Sequence, residues 1–112
     1  PQSTELLLGN SLFVKEGNMF TKVLFDEVLY VEQDRNYVDI CTAERRHPVR
    51  STLKDFAKNL PRGTFIQVHR SFIVNTSYIS SVNADVIRLG DKEIPIGQTY
   101  REELLRVLRL MS

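Results

Sequence analysis

The sequence predicts a mainly β domain with two helices, one in the middle of the chain and one at its C-terminal end. Two observations predict this class. Short runs rich in β-branched and aromatic residues recur along the chain, and polar residues that favour turns separate them. Apolar residues recur at helical spacing in residues 53–60 and again in residues 104–111. With 112 residues, the chain can bury a hydrophobic core of its own as one domain.

Four short strands are predicted in the first part of the chain. Gly17 and Asn18 form a turn dipeptide between the first two. Residues 34–36 favour a hairpin tip, because Asp and Asn tolerate turn conformations. Residues 44–48 are too polar for a core strand and are predicted to form a loop. The predicted strands are residues 12–15, 20–25, 28–32 and 37–41.

A short helix is predicted at residues 53–60. Its apolar residues fall at positions i, i+3, i+4 and i+7, which places them on one face. Ser51 or Thr52 is expected to cap its N-terminus, and the Pro-Arg-Gly segment at residues 61–63 is expected to end it. The apolar face consists of Leu53, Phe56, Ala57 and Leu60.

Further short strands and a terminal helix are predicted in the rest of the chain. Gly90 and Asp91 join the last two strands, and Thr99 and Glu102 have the spacing of a capping box for the helix. The predicted strands are residues 65–68, 72–74, 79–82, 86–89 and 93–96. The apolar face of the terminal helix consists of Leu104, Leu105, Leu108 and Met111.

The composition is typical of a globular domain, with 42% hydrophobic and 26% charged residues. No apolar run approaches the roughly 20 residues that span a bilayer, and no signal sequence opens the chain. Because the sequence begins at Pro1 without a methionine, we expect it to be a piece of a longer protein. The single cysteine, Cys41, excludes an internal disulfide and fits a reducing compartment. Its place in a predicted strand favours packing over redox chemistry.

The charge is unevenly distributed along the chain, although the net charge is only +1. Residues 1–34 carry a net charge of −4, residues 35–70 carry +5, and residues 71–112 are balanced. Such a division predicts one basic face, which is typical of a nucleic-acid binder. Chance clustering on a solvated surface is the alternative. The division does not distinguish DNA from RNA or from an acidic protein.

The sequence contains no pattern that supports catalysis or metal binding. His47 and His69 are far apart and the cysteine is single, so no ligand spacing for a metal is present. Neither a G-x-S-x-G motif nor a glycine-rich phosphate loop occurs. Ser71 lies two residues from His69, but adjacency in sequence does not create a dyad. The leucines of the terminal helix favour packing over helix-turn-helix recognition, since no second helix directly precedes it.

Residues 65–75 contain an apolar strand that His69, Arg70 and Ser71 interrupt before the apolar run resumes. Burying an arginine in a sheet core is unfavourable, so the chain is expected to bend here and expose Arg70. The planar guanidinium fork suits a phosphate or a guanine edge. A solvated residue at a strand end is the alternative for Arg70, and a packed or capping histidine is the alternative for His69.

Four segments in the same order and spacing resemble a LytTR DNA-binding domain, the output module of many bacterial response regulators in two-component systems. The resemblance extends from about residue 10 to residue 108. It assigns residues 10–112 to the domain and residues 1–9 to the remnant of a linker. The resembling segments are residues 28–32 with 36–38, residues 50–54, residues 65–75 and residues 94–100.

The resemblance implies an elongated, mainly antiparallel β fold that binds double-stranded DNA without a recognition helix. Loops between strands would enter successive major grooves on one side of the duplex. The residues that the resemblance assigns to base contacts are Asn36, Tyr37, Arg70 and Gln98. Those assigned to contacts with the DNA backbone are Arg35, Arg50, Ser51, Thr52, Lys54, His69 and Ser71.

The segment at Gln98 departs from the commonest family pattern, which has an arginine there. Arginine suits O6 and N7 of guanine, whereas glutamine suits N6 and N7 of adenine, so base preference at this position is open. At the start of the helix at residues 53–60, N–H groups are expected to be available to a phosphate.

The resemblance also implies a non-enzymatic cytoplasmic protein without cofactor or metal. Its expected partners are DNA with paired half-sites, bound as a dimer, and an N-terminal receiver or sensor domain. A degenerate copy of the fold that binds a protein is the alternative. A single-strand binder needs exposed aromatic residues, for which Tyr37 and Tyr100 are the candidates near the basic region, and it ranks last.

Overall fold

A computed structural model describes residues 9–111, with side chains as far as Arg109. The predicted linker remnant lies outside the described residues except for Gly9, and so does the side chain of Met111. The strands are β1 (Ser11–Glu16), β2 (Met19–Leu24), β3 (Val28–Asp34), β4 (Tyr37–Thr42), β5 (Arg46–Arg50), β6 (Phe65–His69), β7 (Phe72–Asn75), β8 (Ser81–Val82), β9 (Val86–Leu89) and β10 (Lys92–Pro95). The helices are α1 (Leu53–Ala57) and α2 (Arg101–Met111). The 3-10 turns are Phe25–Glu27, Thr76–Tyr78 and Gln98–Tyr100.

These strands form three sheets in which neighbours are antiparallel. The central sheet has the strand order β5-β4-β3-β7-β6, β1 and β2 form a separate hairpin, and the third sheet has the order β10-β9-β8. The molecule measures 42 Å along its longest axis and 24 Å along its shortest. The predicted class, an elongated antiparallel β fold with a mid-chain and a C-terminal helix, is confirmed.

The central sheet has a hydrophobic cluster on each face. Successive residues of a strand point to opposite sides, so neighbours in sequence belong to different clusters. Val31, Ile40 and Ile73 pack in one cluster with residues of β1, β2 and α1. Their neighbours in sequence pack in the second cluster with residues of β9, β10 and α2; these are Tyr30, Cys41 and Val74. The middle strands are therefore held from both sides, and the loops at the ends of the sheet extend from a firmly packed support.

Residues 44–48 are not wholly a loop, contrary to the prediction, because β5 begins at Arg46. β5 is the edge strand of the central sheet and pairs only with β4 among the named strands. His47 is buried whereas Arg46 and Pro48 are exposed, so the strand alternates as an edge strand does. A proline is tolerated there because one side of an edge strand has no hydrogen-bonding neighbour.

The two helices differ in detail from their predictions. α1 ends at Ala57 rather than at residue 60, although Leu53, Phe56 and Leu60 are all buried. Thr52 caps α1 by accepting a hydrogen bond from the Asp55 N–H at 3.1 Å.

The capping box predicted for the terminal helix is wrong. Thr99 lies inside the 3-10 turn that leads into α2, and Gly97 stands at the N-cap of that turn without a side-chain hydrogen bond. Leu104 is buried, but Leu105 of the predicted apolar face is 42% exposed. Val107 packs against the core instead, together with Leu108.

Candidate nucleic-acid interface

Three connections meet at one end of the central sheet. Arg35 and Asn36 form the tip between β3 and β4, where Asp34 pairs with Tyr37. Tyr37 also pairs with Arg50, so the link from β5 to α1 lies beside this tip, and the Ser51 N–H donates to the Asn36 carbonyl at 3.2 Å. The turn between β6 and β7 lies at the same end, because the Gln33 N–H donates to the Ser71 carbonyl at 2.9 Å.

A fourth segment, residues 97–98, joins them. The Gly97 N–H donates to the Val68 carbonyl at 2.7 Å, next to the end of β6. A Cβ atom at Gly97 would lie 2.9 Å from Cδ2 of Tyr100 and 3.4 Å from Cα of His69, so this close approach requires glycine. We call residues 34–37, 50–54, 69–72 and 97–98 the loop surface.

The four side chains predicted to contact bases are all exposed on the loop surface. Asn36 and Tyr37 lie at the tip between β3 and β4, Arg70 lies in the β6–β7 turn, and Gln98 opens the 3-10 turn before α2. The bend predicted at Arg70 is therefore present, with a break in strand register between Gln67 and His69. Residues that are as many as 62 positions apart in sequence are thus brought to one end of a single sheet.

The tip between β3 and β4 contains a backbone conformation that is unusual for its residue. Arg35 has a φ of 59°, in the left-handed region, where glycine is the common choice. The side chain of Arg35 is exposed. The tip therefore places an arginine where a glycine would cause less strain.

Exposed cations surround these loops. Arg35, Arg50, Lys54 and Arg70 form no ion pair with any residue that the structure describes. Four unpaired cations on one end of a sheet attract a polyanion, and no internal ion pair has to be broken first.

The basic residues of the segment 35–70 do not all lie on one basic face, so the prediction of a single basic face is wrong for part of them. Arg45 donates to Glu16 at 2.8 Å, and Arg46 lies 3.0 Å from Asp39 and 3.3 Å from Glu32. The hydrogen bond from Arg45 is the largest cause that lowers the pKa of Glu16 to about 2. These two arginines lie near the other end of β5 and are neutralised by carboxylates, so they contribute little to the loop surface.

His69 and Ser71 are engaged within their own turn. Nδ1 of His69 accepts a hydrogen bond from the Ser71 N–H at 3.1 Å, and the imidazole ring packs edge-on against Phe72 with 5.7 Å between ring centroids. The contact uses the backbone of Ser71 and not its hydroxyl, so the two residues do not form a catalytic dyad. The capping alternative for His69 is confirmed, and contacts from these residues to DNA stay a prediction.

The start of α1 offers fewer N–H groups than predicted. The Leu53 N–H donates to Oε1 of Gln33 at 2.6 Å, and the Asp55 N–H is taken by Thr52. The Ser51 hydroxyl donates to the Thr52 carbonyl at 2.8 Å. At the start of α1, the exposed side chain of Lys54 is therefore better placed to meet a phosphate than the backbone N–H groups of Leu53 and Asp55.

Gln33 and Gln67 were given no role by the sequence interpretation, yet both contact the backbone of the loop surface. Gln33 bonds to the β3–β4 tip and to the start of α1, and Gln67 bonds to the carbonyl of His69. An amide side chain just before a predicted turn is a signal for the local contacts of Gln33 with Arg35 and of Gln67 with His69, but it gives no indication of the contacts of Gln33 with Ser51 and Leu53.

The chemistry of the described residues gives no support to catalysis. Residues 9–111 hold no group of three or more His, Cys, Asp or Glu side chains that could bind a metal ion. Cys41 is buried, and burial raises the pKa of its thiol, which disfavours the reactive thiolate. No helix in the described part of the chain is long and apolar enough to cross a membrane.

Comparison with known proteins then decides the family. The sequence-family model of the LytTr DNA-binding domain matches residues 18–109. The chain belongs to this family. The LytTR membership inferred from the four resembling segments is therefore confirmed.

Similar proteins come from several Bacillus species. The sensory transduction protein LytT of Bacillus subtilis is 30% identical over 90% of this chain, and LytT of Bacillus anthracis is 29% identical over 79%. The transcriptional regulatory protein NatR of Bacillus subtilis is 26% identical over 74%. The chain spans only 44%, 38% and 36% of these three relatives, so each of them contains a large part with no counterpart here.

A solved structure has the same fold. It is the LytTr DNA-binding domain of a Bacillus cereus protein described as a response regulator. The TM-score is 0.78 at 25% sequence identity, and the match covers 88% of this chain and 96% of that one. The overall fold is thus shared with this LytTr DNA-binding domain at 25% sequence identity.

Proposed function

We propose that this chain binds double-stranded DNA in a sequence-specific manner, as the output domain of a bacterial transcription regulator. The observation that carries the proposal is the loop surface, on which three exposed cations surround four exposed side chains suited to base edges. One of these four, Arg70, is itself a cation, and none of the four cations forms an ion pair with a described residue. LytTR membership and the names of the relatives support it.

Asn36, Tyr37, Arg70 and Gln98 would contact bases, with the loops entering successive major grooves on one side of the duplex. The guanidinium of Arg70 can pair with O6 and N7 of guanine, and the amides of Asn36 and Gln98 can pair with N6 and N7 of adenine. Because Gln98 stands where the family commonly has arginine, we propose that this chain prefers adenine at that position.

Seven further residues of the loop surface would contact the DNA backbone and set the orientation of the duplex. Arg35, Arg50 and Lys54 supply charge, and each neutralised phosphate releases counterions. Ser51, Thr52, His69 and Ser71 would contribute less to affinity, through polar contacts with the DNA backbone.

The length of the relatives supports a larger protein. We propose that an N-terminal receiver or sensor domain controls residues 10–112, that two copies bind paired half-sites, and that the protein acts in the cytoplasm without a cofactor or an enzymatic activity. These features rest on the family and on the names of the relatives, which include a sensory transduction protein and a transcriptional regulatory protein.

The experiment is selection of a duplex from a randomised pool, followed by binding titrations of that duplex at several salt concentrations. With about four to six phosphate contacts, log affinity should fall with log salt at about −0.9 per contact, or roughly two to three decades between 50 and 200 mM. Equal affinity for the selected and a scrambled duplex would contradict sequence specificity, and a flat salt response would contradict DNA binding.

One observation favours the alternative of a degenerate LytTR domain that binds a protein. Phe13 and Phe20 share one face of the β1–β2 hairpin and are 49% and 68% exposed, and neighbouring exposed apolar side chains are typical of a protein contact. If this alternative holds, selection from the randomised pool should enrich no duplex.

A further inference from the structure

The side chain of Gln33 stands directly before the tip of the first hairpin of the loop surface and contacts two of its connections. Nε2 of Gln33 lies 2.8 Å from the carbonyl oxygen of Arg35, 2.9 Å from that of Tyr37 and 3.3 Å from that of Ser51, and its two hydrogens are shared among these three acceptors. Oε1 of the same amide accepts from the Leu53 N–H at 2.6 Å. One side chain therefore joins both sides of the β3–β4 tip to the start of α1.

The backbone of Gln33 extends this connection to the second hairpin. Its N–H donates to the Ser71 carbonyl at 2.9 Å, in the turn that presents Arg70. The tip between β3 and β4, the start of α1 and the β6–β7 turn are thus linked through a single residue.

Gln67 occupies the corresponding place in the second hairpin. Nε2 of Gln67 donates to the His69 carbonyl at 3.1 Å, two residues ahead, as Nε2 of Gln33 does to Arg35. It also donates to the hydroxyl of Tyr100 at 3.4 Å, in the 3-10 turn that begins with Gln98. The β6–β7 turn is thereby connected to the segment before α2.

We propose that Gln33 and Gln67 are positioning residues, which hold the loops of the surface in the arrangement that DNA requires without touching DNA themselves. Both side chains are half-buried behind the loops, and their amide groups are engaged with protein atoms. A neutral amide suits this place because it offers donors and an acceptor at one end of a flexible side chain. The inference rests on the proposed function, since it concerns how the same surface binds its duplex.

The energetic reason is preorganisation. A loop that is ordered before binding loses less conformational freedom when the duplex docks, so affinity for the correct sequence rises. Nonspecific attraction by the exposed cations depends much less on loop geometry, because it follows charge and not the placement of base-edge contacts. The proposal therefore predicts a loss of selectivity rather than a uniform loss of affinity.

The test uses Gln33→Met and Gln67→Met, which keep the length of the side chain and remove its hydrogen bonds. The matched control is Thr42→Val in the β4–β5 connection, at the opposite end of the sheet. Oγ1 of Thr42 accepts from the Glu44 N–H at 3.3 Å and from the Arg45 N–H at 3.2 Å, so the control also removes hydrogen bonds from a side chain to a turn.

The measured quantity is the ratio of affinities for the selected and the scrambled duplex, with a melting curve for each variant. We expect the ratio to fall about tenfold in each glutamine variant, as for the loss of one good contact, and to stay at the parent value in the control. Amide NMR signals of residues 34–37 and 51–53 should shift in Gln33→Met, whereas those of β9 and β10 should not.

The outcomes separate the two proposals. If the parent chain enriches no duplex, the proposed function fails and the positioning role fails with it. If the parent is selective and the two glutamine variants keep its ratio, only the positioning role is overturned. Should Gln33→Met not fold, Gln33→Glu keeps the acceptor for the Leu53 N–H and loses both donors of the amide. Its ratio then decides the matter, because added charge weakens both duplexes alike.

Discussion

Arg70 stands out among the single residues of the loop surface because it is exposed in a two-residue turn and forms no ion pair with the described residues. We expect Arg70→Ala to lower affinity for the selected duplex by about 1–3 kcal/mol and to relax preference at one base pair. Arg70→Lys should recover part of the affinity but less of the selectivity, since an ammonium lacks the bidentate fork. Binding curves against the selected and single-mismatch duplexes measure both effects.

Melting curves of the same two variants are the control. An exposed side chain contributes little to folding, so the melting temperature should barely change. A large fall in melting temperature with unchanged selectivity would show that Arg70 has a structural role.

Arg35 offers a test in which stability and binding change in opposite directions. A non-glycine residue in the left-handed region costs about 1–2 kcal/mol, whereas glycine adds about 0.4–1 kcal/mol of unfolded-state entropy. Arg35→Gly should therefore leave the free energy of unfolding unchanged or raise it by up to about 1.6 kcal/mol. Its binding should weaken for all duplexes, with a salt slope smaller by about 0.9. Urea unfolding and salt titrations measure the two quantities, and a less stable variant would contradict the strain argument.

Among the elements, the β1–β2 hairpin is tied through Glu16 to Arg45, just before β5, and to His47 of β5. Glu16 accepts hydrogen bonds from Arg45 at 2.8 Å and from Thr21 at 2.6 Å, and Nδ1 of His47 lies 3.2 Å from its second carboxylate oxygen. These contacts favour the ionised carboxylate and lower the pKa of Glu16 from 4.5 to about 2.

The lowered pKa gives a direction for the pH dependence of stability. The contribution of Glu16 is complete above pH 4.5 and is lost as the pH falls towards about 2, since the unfolded chain takes up the proton first. Glu16→Gln should therefore lose stability less steeply than the parent over this range. The urea midpoints of the parent and of Glu16→Gln, measured at intervals from pH 6 to pH 2, give the pH dependence of stability for each protein. Parallel curves for the two proteins would contradict the role given to Glu16.

Sequence alone predicted the elements that local signals specify. Residues 65–75 gave the bend at Arg70, because an arginine that interrupts two apolar runs is too costly to bury. β5 was missed because its residues are polar and its strand conformation depends on pairing with β4. Gln33 was missed because its contacts with Ser51 and Leu53 cross 18 and 20 positions of the chain. No local pattern reports a hydrogen bond of that separation.

At the scale of the whole molecule, the central sheet belongs to two hydrophobic clusters at once. Ile40 and Val74 are both fully buried, on opposite faces. We expect Ile40→Ala to cost about 2–5 kcal/mol and to unfold the domain in a single transition, because both clusters share the same strands. The part of the population that remains folded should keep its DNA selectivity. Two separate thermal transitions would show that the clusters unfold independently.

The register of the central sheet has an evolutionary consequence. The β3–β4 and β6–β7 hairpins are joined through the pairing of β3 with β7, so their tips cannot move apart independently. Substitutions at Asn36, Arg70 or Gln98 can alter which bases are preferred while both cores stay intact. Insertions in these short turns would instead change the register of the neighbouring strands. We therefore expect that, among lineages that carry this domain, the identity of the contacted operator bases varies more readily than the spacing between those bases.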